Sequence, residues 1–95
     1  MNDSRTIIFG EERYVDFLVC SRDPNESIVV TEASYQFINH RTGKTESEGA
    51  CLIKDRCLRV LLCPEHKGIY HLIVTAVVPP ETIKGVMDVV VKEAV

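Results

Sequence analysis

The feature that most constrains this chain is a hydrophobic period of two. Ala33, Tyr35 and Phe37 alternate with Ser34 and Gln36, and Val15, Phe17 and Val19 share one parity, as do Leu58, Val60 and Leu62. Successive side chains on a β-strand point to opposite faces, so each run has one face suited to a core. The runs are rich in Val, Ile, Thr and aromatic residues, which fit a pleated surface better than a helix. Strands are expected over residues 6–9, 14–21, 31–39, 50–53, 56–62, 69–78 and 83–92.

Turn chemistry separates these runs. Gly10-Glu11-Glu12 ends the first, Asp23-Pro24-Asn25 the second and His40-Arg41-Thr42-Gly43-Lys44 the third. Lys54-Asp55 reads as a hairpin tip, Pro64 and Gly68 bracket the next turn, and Pro79-Pro80 stops the longest run. Residues 26–34 leave room for a short helical turn or an extra edge strand. Seven short strands with a turn signal about every 8–12 residues predict an all-β fold. That fold is an immunoglobulin-like, two-sheet antiparallel sandwich forming one domain over residues 1–95. The expected interior is Val15, Phe17, Val19, Tyr35, Phe37, Leu58, Val60, Tyr70, Leu72, Val74 and Val89, with Met87 and Val91 on the same parity as Val89.

With 95 residues, 45% of them hydrophobic and 26% charged, the chain can bury a single core unaided. The net charge of -3 and the lack of a Lys/Arg block give nucleic acid no basic stripe to bind. No apolar run is long enough to cross a bilayer, so membrane insertion is not expected. Met1-Asn2-Asp3-Ser4-Arg5 is followed by no apolar signal-peptide core, which leads to an expectation of a cytoplasmic protein. Cys20, Cys51, Cys57 and Cys63 are then expected to be reduced.

The stretch Gly68-Ile69-Tyr70-His71-Leu72-Ile73-Val74 resembles strand F of immunoglobulin-like domains, where a D-x-G-x-Y-x-C pattern builds the tyrosine corner. Gly68 and Tyr70 match, while His66 stands in place of the Asp and Leu72 in place of the Cys. With no Trp in the chain, Tyr35 or Phe37 must fill the central aromatic position. The whole chain also resembles the small immunoglobulin-like domains of tailed-phage and prophage virion proteins of the tail or baseplate. The features that carry this are Phe9-Gly10-Glu11, the strand from Tyr14 to Asp23, Thr42-Gly43 and Gly68-Ile69-Tyr70. The resemblance implies a structural or adhesive module with no catalytic residues to carry over.

Zinc needs four converging ligands, yet no C-x-x-C pair exists, and Cys51 and Cys57 lie on opposite hairpin arms. Cys63 with His66 or His71 lacks the cleft a catalytic thiolate needs. Glu11 and Glu12 are neighbours that point apart, and Glu46 and Glu48 read as solvated. The expectation is therefore no catalytic, cofactor-binding or metal-binding residue. If Tyr70, Leu72 and Val74 point inward, Ile69, His71 and Ile73 point outward; likewise Val86, Asp88 and Val90 lie opposite Met87 and Val89. Ile69, Ile73, Val86 and Val90 then form a partly apolar stripe, the candidate interface for self-association or for another structural partner. The alternatives are a loop-end ligand- or carbohydrate-binding module and a cysteine-based redox or metal-binding protein.

Overall fold

The periodic runs become strands whose inner parity is buried. The computed structural model describes residues 3–19 and 28–94. Eight strands follow in order: β1 (Asp3–Ile8), β2 (Arg13–Leu18), β3 (Glu32–Asn39), β4 (Thr45–Ala50), β5 (Leu52–Lys54), β6 (Cys57–Leu62), β7 (Gly68–Val78) and β8 (Glu81–Lys92). A five-stranded sheet, β1-β8-β7-β3-β4, packs against a three-stranded sheet, β2-β6-β5, in a two-sheet β-sandwich. No helix among the described residues is long and apolar enough to cross a membrane.

Between the sheets lie Val15, Phe37, Leu58, Val60, Leu62, Tyr70, Leu72, Val74, Met87, Val89 and Val91, all buried. No polar or charged residue among those described joins them, which leaves hydrophobic burial as the force holding the sheets together. Phe37 takes the central aromatic position. Its ring stacks on Tyr70 with centroids 4.3 Å apart and planes 9° from parallel. Phe17, Val19 and Tyr35, also expected inside, are only half-buried at the margin of this core. The narrower small sheet does not fully cover Tyr35 of β3, while Phe17 and Val19 lie on and just beyond its own edge strand, β2.

Three expectations need correction. The strand read over 50–53 spans the end of β4 and most of β5, which lie in different sheets, so the described residues hold eight strands where seven were expected. Thr45–Ala50 has no apolar alternation because it is an edge strand held to β3 by backbone pairing. The sandwich is not wholly antiparallel, since β1 runs parallel to β8, from Asp3 opposite Met87 to Ile8 opposite Lys92. The turn at Asp23-Pro24-Asn25, and Cys20, lie outside the described residues.

Local chemistry fixes the two hairpins. Asp55 and Arg56 link Lys54 to Cys57. Asp55 takes φ of 56°, a left-handed conformation that Asp tolerates better than most residues. Pro79 and Pro80, joined by a cis peptide bond, form the loop that pairs Val78 with Glu81. From there β7 and β8 stay in register to Gly68 opposite Val91.

Candidate functional site

The β7–β8 register dictates what the outer face of the large sheet displays. Ile69 lies opposite Val90, His71 opposite Asp88, and Ile73 opposite Val86. These are three successive outward rungs, with the apolar ones flanking the polar one. Ile69 and Val86 are exposed, at 49% and 43%. Ile73 and Val90 are half-buried rather than open, because each has a further strand beside it: Gln36 of β3 next to Ile73, and Thr6 of β1 next to Val90.

The polar rung continues into a chain of three side chains. His71 Nδ1 lies 2.9 Å from Asp88 Oδ1, and His71 Nε2 lies 2.7 Å from His40 Nδ1. A carboxylate only accepts, so His71 Nδ1 carries a proton. The two imidazole rings meet edge to face, with centroids 4.7 Å apart. His40 is brought there by its turn, where its backbone N–H donates to the Ile69 carbonyl at 3.0 Å. A carboxylate-oriented imidazole is the base half of a catalytic triad, but what it meets here is a second imidazole in place of a hydroxyl or thiol.

Sequence reading placed His71 and Asp88 outward without joining them. The signal was present: a two-residue loop at Pro79-Pro80 pairs Val78 with Glu81 and, counting back, His71 with Asp88. His40 carries no such local signal.

The small sheet displays a second apolar surface that sequence reading missed. Tyr14 lies opposite Leu61 and Asp16 opposite Arg59, with Leu52 on the far side of Arg59. Tyr14 and Leu52 are 57% and 65% exposed. Arg59 forms a two-point pair with Asp16, Nε to Oδ1 at 2.9 Å and Nη2 to Oδ2 at 3.3 Å. Its guanidinium stands 5.3 Å from the Tyr14 ring centre. The hydrogen bonds from Arg59, then its charge, hold the Asp16 carboxyl below its usual value of 3.8.

At the corner, Gly68 adopts φ of 129°, a region open in practice to glycine alone. Tyr70 is fully buried, and its hydroxyl lies 3.1 Å from the His66 carbonyl oxygen and 3.1 Å from Glu46 Oε1. Burial first, then the Glu46 charge, pushes its ionisation from 10.0 up to about 12. Cys51 is buried, Cys57 half-buried and Cys63 exposed, all as free thiols. The Cys63 thiol lies 4.0 Å from Glu12 Oε1.

No family model and no curated protein matches the sequence. Among solved structures, the chain is similar to an engineered protein whose crystal structure was determined at 1.98 Å. The TM-score is 0.70 at 11% sequence identity, over 95% of this chain and 18% of that one. The chain thus spans less than a fifth of the length of the protein it matches, and the likeness is one of fold.

Proposed function

We propose that this domain is a non-enzymatic structural or assembly module that docks on a second copy of itself through the outer face of β7 and β8. The observation behind this is the spacing of the rungs: Ile69–Val90 and Ile73–Val86 stand equally far to either side of His71–Asp88. A two-fold axis through the central rung lays each apolar rung of one copy on the other apolar rung of its partner. That is the self-complementarity an isologous contact needs. Contact removes apolar surface from water at roughly 25 cal/mol per Å². The edge strands β1 and β4 offer backbone groups for further pairing. The sequence resemblance to tail and baseplate domains suggests a setting, a virion component made in the cytoplasm and assembled in many copies.

Sedimentation over a concentration range tests this reading. The wild type should associate, and Ile73→Glu should stay monomeric with an unchanged far-UV circular dichroism spectrum. A wild type that remains monomeric at high concentration removes the proposal.

A further inference from the structure

One end of the sandwich holds a second cluster, outside the stripe. Glu46 lies on edge strand β4, and Glu65 and His66 lie in the loop between β6 and β7. One carboxylate oxygen from each glutamate and one ring nitrogen of His66 lie within 4.8 Å of one another. All three line a cavity of 370 Å³.

A stranded oxygen provides an independent observation. Glu46 Oε1 accepts the backbone N–H of Glu65 at 3.2 Å and lies 3.1 Å from the Tyr70 hydroxyl. Glu46 Oε2 is shielded from solvent and has no hydrogen-bond partner, alone in this among the side-chain oxygens and nitrogens of the described residues. A shielded acceptor without a donor is costly. A bound cation would give it a partner.

We propose that Glu46, Glu65 and His66 bind a divalent transition-metal ion, with zinc the best match. An imidazole with two carboxylates is a nitrogen–oxygen donor set of the kind zinc accepts, with a fourth position left to water. A magnesium or calcium site would call for more oxygen ligands and no imidazole. Zinc bonds of about 2.0–2.2 Å set tetrahedral ligand atoms roughly 3.4 Å apart. Glu65 and His66 are exposed and free to close that gap. Glu46 is already oriented by the Glu65 amide and Tyr70, as outer-shell hydrogen bonds orient a metal ligand. Lys44 also lines the cavity, and two carboxylates against one ammonium leave it net negative. The ion would tie edge strand β4 to the loop that leads into β7 at this end.

The test is titration calorimetry with Zn²⁺ alone on the wild type, Glu65→Gln, His66→Ala and His71→Ala, beside thermal unfolding with and without the ion. Glu65 and His66 serve the corner through backbone atoms, so both variants should keep the wild-type midpoint in chelator. The wild type should bind about one ion per chain and unfold at a higher temperature with it, and each of these two variants should bind at least ~10-fold more weakly. Co²⁺ bound in place of zinc should show no thiolate charge-transfer band. Three results overturn the site: no binding by the wild type, unchanged binding in both variants, or a thiolate band. Loss of binding in His71→Ala with retention in His66→Ala moves the ion to the His40–His71 pair and also overturns it.

Discussion

The two outer faces of the sandwich share a plan and differ in finish. Each sets a hydrogen-bonded polar rung beside apolar residues: His71–Asp88 on the large sheet and Asp16–Arg59 on the small one. Judged by single residues, the small sheet is the more exposed, with Leu52 at 65% against Ile69 at 49%. Its polar rung, however, holds a guanidinium that reaches from Asp16 towards the Tyr14 ring, so the polar group leans over the apolar surface. The large sheet's polar rung links its own neighbours, Asp88 to His71 to His40, and leaves the apolar rungs clear. Exposure of single residues therefore ranks the two faces in one order, and the behaviour of the polar group between them ranks them in the other.

Paired substitutions sharpen this contrast, and the largest effect expected is on association. Ile73→Glu should weaken self-association by ~100-fold or more, since it sets a charge against apolar surface in the contact. Leu52→Glu on the other face should leave it unchanged. The reverse result, read by sedimentation, would transfer the interface to the small sheet. Next comes the anchoring of the large sheet. Tyr70→Phe should cost about 1–3 kcal/mol by denaturant unfolding, because it removes the one proton that the buried hydroxyl offers to the His66 carbonyl or Glu46 Oε1. The Tyr70 ionisation is raised in the fold from 10.0 to about 12. Its contribution is therefore fully present below pH 10 and is lost as pH rises through 12, so the gap between wild type and Tyr70→Phe should close over that interval. The smallest effect belongs to the small sheet. The Asp16 carboxyl is held below 3.8 in the fold, so its stabilising pair with Arg59 is present above that value and is lost as pH falls through the lowered one. Asp16→Asn should lower the unfolding midpoint only slightly at neutral pH, as exposed pairs do. The two proteins should converge in acid.

Strands with one buried face were legible because burial writes a period of two into the sequence, as in Leu58, Val60 and Leu62 or Tyr70, Leu72 and Val74. The outward parity of Ile69, Ile73, Val86 and Val90 followed from the same alternation. Thr45–Ala50 was not legible. An edge strand with almost no buried side chain has no apolar pattern to show, and its pairing with β3 runs through the backbone. The His40–His71 contact and the Glu46–Glu65–His66 cluster were hidden for another reason. Each joins residues from separate parts of the chain that only the folded register brings together, His40 to His71 across 31 positions and Glu46 to Glu65 across 19.

Cys51 sits where the chain leaves one sheet for the other, between Ala50 of β4 and Leu52 of β5. It is buried, and its backbone N–H donates to the Ala33 carbonyl at 2.9 Å. Burial pushes its thiol ionisation up, and the thiolate is the form that thiol reagents attack. A reagent therefore gains Cys51 only during excursions in which the seam between the sheets parts. Its labelling rate, set against that of exposed Cys63, works as a built-in clock for how often the sandwich breathes.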